Sequence, residues 1–293
     1  MRIIRTDQIQ ALVKRLILDA EFDIGVDIRA ALEAALQRET TAPARLALQQ
    51  ILENQRIASE ERTPLCQDTG MIVVFAELGQ DARIKGEIEG ETKGEIEGGG
   101  FEDAIQSGAK AAFREGYLRA SVVDDPLFDR INTRDNSPAV IHLRLVSGDG
   151  LRLLVMPKGF GSENMSAVRM FSPSAGREGV ADFIVDTVRR AGSKPCPPTI
   201  VGVGIGGTME QCTQIAKLAT ARRVGSVNPD ARYAALESEC LERINALGIG
   251  PAGYGGVTTS LAVHINHAPT HIAGLPVAVS IVCHASRHAE GSL

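Results

Sequence analysis

Apolar residues recur at intervals of three and four through the first 62 positions of the chain and then give way to shorter, denser apolar runs. Residues 6–20 place Ile9, Leu12, Val13, Leu16 and Ile17 on one stripe of a 3.6-residue period, which predicts an amphipathic helix. Residues 27–39 repeat the pattern with Ile28, Ala31, Leu32, Ala35 and Leu36, and residues 42–59 with Leu46, Leu48, Ile51 and Leu52. Stripes of this kind are core-packing surfaces and carry no chemistry of their own.

The pattern changes at residue 71. Residues 71–78 form an apolar run interrupted by Glu77 and closed by Gly79, which predicts a buried strand. Residues 101–117 return to helical spacing. The runs 139–146 and 151–156 flank Ser147-Gly148-Asp149-Gly150, whose glycines permit the positive φ of a tight turn; this predicts a β-hairpin. Helices are predicted over 179–191, 208–222 and 229–247, and strands over 199–205 and 277–282. No linker of distinct composition divides the chain. It therefore reads as a single compact α+β domain, 1–293, with a helical part at 1–62 and a mixed sheet with packed helices after it. Lys85-Gly86-Glu87-Ile88-Glu89-Gly90 recurs as Lys93-Gly94-Glu95-Ile96-Glu97-Gly98, a short acidic duplication expected to be an exposed loop insertion.

Composition narrows the classes. Net charge is −5 and there is no basic block, which argues against a nucleic-acid footprint. No apolar run approaches the roughly 18 residues of a membrane span. The N-terminus enters a helix pattern directly and lacks the apolar core of a signal peptide, so a cytoplasmic location is expected. Five cysteines, an odd number with no Cys-x-x-Cys, speak against a disulfide framework and for metal ligands, catalysis or plain reduced thiols.

Three of those cysteines sit in dressed motifs: Thr63-Pro64-Leu65-Cys66-Gln67-Asp68-Thr69-Gly70, Lys194-Pro195-Cys196-Pro197-Pro198 and Val282-Cys283-His284. Three thiolates are one short of the usual four around a cubane iron–sulfur cluster. The plain alternative is three buried thiols. Cys212 and Cys240 lie in helical patterns and read as small buried hydrophobes. In Lys158-Gly159-Phe160-Gly161-Ser162-Glu163-Asn164 a strand runs into a helix expected to open at Ser162, a candidate anion cradle or an ordinary turn. Gly202-Val203-Gly204-Ile205-Gly206-Gly207 formally matches a dinucleotide fingerprint, but no acidic residue on a second strand follows it; close strand–helix packing or a carboxylate-friendly turn are the better readings. His264, His267 and His271 have helical metal-ligand spacing that Pro269 breaks.

Together the motifs around Cys66, Lys158–Asn164, Cys196 and His271 to Cys283 resemble the α subunit of class I, iron–sulfur-dependent fumarate hydratases and the related L(+)-tartrate dehydratases. The similarity covers nearly the whole chain. It implies a [4Fe–4S] cluster held by Cys66, Cys196 and Cys283, with one iron open to substrate. It implies a base at Asp68, working with a threonine from a β portion, and substrate contacts from Gln67, Arg119, Gly161 and His271. It also implies a separate β subunit that completes the active site, in an α2β2 or similar oligomer. The activity implied is hydro-lyase chemistry on a 2-hydroxy dicarboxylate, with fumarate/(S)-malate as the first expectation and L(+)-tartrate to oxaloacetate as the alternative. A non-catalytic iron–sulfur scaffold subunit and a plain zinc protein are the readings from other classes.

Overall fold

The computed structural model describes residues 2–86 and 100–293. Most of the acidic duplication at 85–98 lies outside the described residues. The elements run in chain order as β1 (Arg2–Arg5), α1 (Thr6–Phe22), α2 (Val26–Arg38), α3 (Ala42–Glu61), β2 (Met71–Gly79), β3 (Ala82–Lys85), α4 (Phe101–Glu115), β4 (Val140–Val146) and β5 (Leu151–Lys158). They continue as α5 (Phe160–Glu163), β6 (Ala167–Phe171), α6 (Gly176–Ala191), β7 (Thr199–Gly206), α7 (Met209–Ala219), α8 (Ala231–Asn245), β8 (Ser260–Ala268), β9 (Leu275–Val282) and β10 (Ala289–Ser292). The α+β class is the one expected. None of the described helices is long and apolar enough to cross a membrane.

The chain clusters into two compact units: Met1–Ile24, Ile57–Gly159 and Arg287–Leu293 form the first, and Gly25–Arg56 and Phe160–Ser286 the second. No composition shift marks the crossings, and one of them falls inside α3. This is why the sequence reads as a single unit.

The first unit is a four-stranded sheet of order β10-β5-β2-β4, covered by α1 and α4. The α1 stripe read from the sequence (Ile9, Leu12, Val13, Leu16, Ile17) is buried against Ile105, Ala109 and Ala112 of α4 and Ile72, Val74, Leu153 and Val155 of the strands. Gly108 permits the close approach of the helices, since a methyl there would meet the Gln10 carbonyl at 2.7 Å.

The predicted hairpin is corrected here. β4 and β5 form, but they do not pair with each other. β2 lies between them, parallel to β4 and antiparallel to β5. Being apolar along most of its length, β2 needs a neighbour on each side. The turn at 147–150 arches over its end instead of closing a two-stranded ribbon. Gly79 donates to the Gly150 carbonyl at 2.8 Å and Asp81 to the Gly148 carbonyl at 3.0 Å.

The second unit is a sheet of order β6-β9-β7-β8. Val201, Val203 and Ile205 of β7 face α6 and α8, where Val180, Ile184, Val188, Leu236, Cys240 and Ile244 complete the core. The opposite face of β7 carries Gly202 and Gly204 against α7. A methyl on either would lie 2.2 Å or less from an α7 carbonyl oxygen, of Ala216 or Cys212. The glycine-rich run is thus a device for close strand–helix packing.

Candidate active site

Cys66, Gln67 and Asp68 lie in the first unit, on the loop between α3 and β2. The loop is pinned from several sides. Leu65 donates its N–H to the Glu21 carbonyl at 2.9 Å. Thr69, buried, donates its hydroxyl to the Arg119 carbonyl at 2.8 Å. Asp68 Oδ1 accepts from the Gly70 N–H at 3.1 Å, a turn that Gly70 makes possible at φ +73°. Space alone also demands glycine there, because a Cβ would meet the Lys158 backbone at 2.6 Å.

Arg287 arrives from the C-terminal segment of the same unit. Its Nη2 donates to the Asp68 carbonyl at 2.7 Å and its Nη1 to Glu21 Oε2 at 2.8 Å. Both charged side chains are buried. Burial pushes the Glu21 carboxyl up to about 7, against the pull of Arg287. Gly159, the first glycine after β5, packs against this assembly: a methyl on it would sit 3.1 Å from Asp68 Oδ2 and 3.3 Å from Arg287 Nη2. The Lys158–Gly159 motif and the Asp68 loop are therefore one structure.

Arg119 stands exposed on an arm that follows α4. Asn136, fully buried at φ +59°, organises the arm. Its carbonyl oxygen accepts from the N–H groups of Ser121 (2.7 Å) and Val122 (3.2 Å), and its amide donates to the Gly70 carbonyl at 3.0 Å. Asn136 thus ties the Arg119 arm to the loop that bears Asp68.

The second unit gathers the other two dressed cysteines at one end of its sheet. β7 begins just after Cys196-Pro197-Pro198, and β9 ends just before Cys283. The two strands are antiparallel with Ile200 opposite Val282, so the two cysteines meet at the same edge of the sheet. The N–H of His284 donates to the Cys196 carbonyl at 3.3 Å. Cys196 is exposed and sits at φ +52°, a left-handed conformation unfavourable for a side chain other than glycine. Gly161 belongs to the same neighbourhood, with its Cβ position 3.9 Å from the Lys194 carbonyl. The helix expected at Ser162 is a single turn, Phe160–Glu163, too short to offer an anion site of its own. Glu163 of that turn is ion-paired with Lys217.

His271 lies elsewhere. It opens the turn between β8 and β9, which is tied to Gly207 at the far end of β7 through Gly207 N to Pro269 O (3.1 Å) and Thr270 Oγ1 to Gly207 O (2.9 Å). β9 has eight residues. At about 3.4 Å per residue, its His271 end and its Cys283 end are roughly 24 Å apart. His264 and His267 are on strand β8 and not on a helix. His264 is buried, bonded to the Ala219 carbonyl at 3.2 Å, and pushed down to about 4 by burial.

The thiols sort into two classes that match the donor set of a metal site. Cys212 and Cys240 are buried in helices and pushed up to about 11 and about 12 by desolvation, so they stay protonated. Cys66, Cys196 and Cys283 are partly or fully exposed at loops and strand ends, within reach of solvent. Among the described residues, no three His, Cys, Asp or Glu side chains are already gathered in metal-holding geometry. No role for Glu21 or Arg287 follows from the sequence alone, and Asn136 enters there only as part of Thr133-Arg134-Asp135-Asn136, a segment similar to the tartrate-type variant. The one available signal was Glu21 itself, a carboxylate at the end of the apolar stripe of α1.

The family profile of fumarate hydratases (Fumerase) matches residues 10–292. The chain belongs to this family. It is accordingly a hydro-lyase. It is 30% identical over 259 residues to the L(+)-tartrate dehydratase subunit alpha of Escherichia coli, covering 87% of this chain and 80% of that protein. The corresponding Shigella sonnei protein gives the same figures. A Methanocaldococcus jannaschii protein that carries the same subunit name provisionally is 39% identical over 285 residues, 96% of each chain. Proteins of this family use an iron–sulfur cluster in general, and thiols outside the core are the chemistry such a cluster takes as ligands.

Proposed function

We propose that the chain is the α subunit of an iron–sulfur hydro-lyase that interconverts fumarate and (S)-malate. The observation that carries this is the meeting of Cys196 and Cys283 at one sheet end, while the two thiols outside the motifs are locked away in helices. In this reading Cys66, Cys196 and Cys283 hold a [4Fe–4S] cluster. The chemistry such a cluster supplies when bound is Lewis-acid polarisation of the substrate hydroxyl by an iron without a cysteine ligand. Asp68 takes the proton from the neighbouring carbon, the C–H electron pair becomes the new double bond, and the C–O pair leaves with the hydroxyl oxygen, which takes up a proton and departs as water. The Arg287 bond to the Asp68 carbonyl and the Gly70 bond to Oδ1 hold that carboxylate in place. Gln67 and Gly161 contact substrate, and Arg119 binds a substrate carboxylate through its two-pronged guanidinium.

A β subunit completes the site, in keeping with the subunit names of the relatives. The role implied for His271 is filled by His271 of a second copy, since its own Cys196 and Cys283 are at the other end of the sheet. This favours an α2β2 assembly. Reduced thiols throughout suit a cytoplasmic location.

The relatives' names favour a second substrate reading, L(+)-tartrate dehydrated to oxaloacetate. Anaerobically purified α and β chains, assayed together on (S)-malate and on L(+)-tartrate, separate the two. Asp68→Asn should abolish turnover on the true substrate and leave iron content and visible absorbance intact. Undiminished turnover by this variant would instead favour a scaffold role.

A further inference from the structure

The arm that carries Arg119 ends in a hairpin-like loop held by bonds of its own backbone, Asp125, Arg130 and Asn132, with Asp129 left exposed at its tip. Its base closes through Asp124 N to Ile131 O and Thr133 N to Val122 O, both 2.9 Å. Within it, Asp125 Oδ1 accepts from the N–H groups of Leu127 (2.8 Å) and Phe128, and Arg130 donates to the Pro126 carbonyl. Asn132 donates to the Ala120 carbonyl at 3.0 Å, next to Arg119. The loop is thus built in one shape, with its apolar side chains left outside: Leu127 is 72% exposed, Phe128 79% and Ile131 59%. A preorganised loop presenting an aromatic and two aliphatic side chains loses little entropy on docking and offers the anchors from which protein interfaces draw most of their affinity.

We propose that residues 124–131 are the seat of the β subunit. The inference rests on the reading of this chain as an α subunit, and it adds where the partner binds. Residues 124–131 contain Asp124, Asp125 and Asp129 against Arg130 alone. The acidic tip disfavours a second copy of the same loop, which would bring like charges together, and it disfavours an anionic lipid surface. It fits a partner with an apolar pocket rimmed by lysine or arginine. Thr69 and Asn136 hold the same arm to the Asp68 loop, so a subunit seated here reaches the rim of the proposed site.

The test is binding of a β subunit from the same organism, chosen by its similarity to β subunits of L(+)-tartrate dehydratases, measured by titration calorimetry and size-exclusion chromatography. The double variant Leu127→Ser/Phe128→Ser should bind at least about thirtyfold more weakly than the wild type, with an unchanged far-UV spectrum and melting temperature. Asp129→Lys, which leaves the apolar pair in place, should also weaken binding. Val227→Ser, at an exposed apolar residue of the other unit, should bind as the wild type does. Unchanged affinity of the double variant and of Asp129→Lys would overturn the docking site and leave the α-subunit reading standing. A wild-type chain that binds no β subunit would overturn both. A wild-type chain that dimerises alone through this loop, and that Leu127→Ser/Phe128→Ser makes monomeric, would replace the β subunit with a second copy.

Discussion

Arg287 and Glu21 form a buried ion pair, 2.8 Å between Nη1 and Oε2, that spans 266 positions of sequence and supports the Asp68 loop. The pair binds that loop at two points, through the Glu21 carbonyl to Leu65 and through Arg287 Nη2 to the Asp68 carbonyl. Removing one member of such a pair leaves the other charge buried without compensation, which is worse than having neither. Arg287→Met should therefore destabilise the first unit by about 3–5 kcal/mol at pH 8. The loss should be smaller at pH 5, where Glu21 takes up a proton. Urea unfolding at the two pH values checks this; equal losses at both would mean that the carboxylate is not what the guanidinium compensates.

The pH dependence of the intact pair has a definite sign. Glu21 is raised from an ordinary carboxyl value of 4.5 to about 7 in the folded chain, chiefly by burial. A folded value above the unfolded one means that the folded state binds the proton more tightly. The associated stability is fully present below about pH 4.5 and is lost as pH rises through about 7, on the order of 3 kcal/mol in all. Melting temperature should fall across this window in the wild type. Glu21→Gln, which cannot titrate, should show a flatter profile over the same range. Parallel profiles would show that another group sets the slope.

The five cysteines should separate cleanly by reactivity. Alkylation is a reaction of the thiolate, and it needs access. Cys196 is exposed, Cys66 and Cys283 half-buried, and Cys212 and Cys240 buried with their thiols pushed up. In the metal-free chain at pH 8, iodoacetamide should label Cys196 first, then Cys66 and Cys283, and leave Cys212 and Cys240 untouched until the protein is unfolded. Peptide mass spectrometry reads the order. After anaerobic loading with iron and sulfide, the first three should become protected together. Protection of Cys196 and Cys283 without Cys66 would count against the three-cysteine site.

These contrasts also show why some of the molecule was legible in the sequence and some was not. The helix α1 and the strand β7 follow from periodicity, because their buried faces are made by residues close in the chain. The cysteine motifs stood out by local chemistry, and the sheet then joined Cys196 to Cys283. The turn at Ser147–Gly150 was read correctly as a turn, but a local signal does not reveal that β2 will enter between the strands it connects. β8 was missed because His264, Asn266 and His267 break its apolar pattern, although His264 is buried and neutral in the core. The structural roles of Glu21, Asn136 and Arg287 are visible only through partners at long range, although Asn136 closes the Thr133-Arg134-Asp135-Asn136 segment and Glu21 ends the α1 stripe.

Asn136 shows how much one such residue carries. Its side chain makes three hydrogen bonds at a position shielded from water, and its backbone holds φ +59°, which asparagine tolerates better than alanine. Asn136→Ala would leave the N–H groups of Ser121 and Val122 and the carbonyl of Gly70 without that partner. Each buried group so abandoned costs about 1–3 kcal/mol, and the left-handed backbone adds about 1–2 kcal/mol. The substitution should therefore cost at least about 3 kcal/mol in urea unfolding. Asn136→Gly loses the same bonds but keeps the backbone conformation, so it should recover about 1 kcal/mol of that loss. If the two variants are equally destabilised, the backbone contributes nothing and the loss lies wholly in the hydrogen bonds. If both are near wild type, the Arg119 arm does not depend on Asn136, and the tie between Arg119 and the Asp68 loop must be made by Thr69 alone.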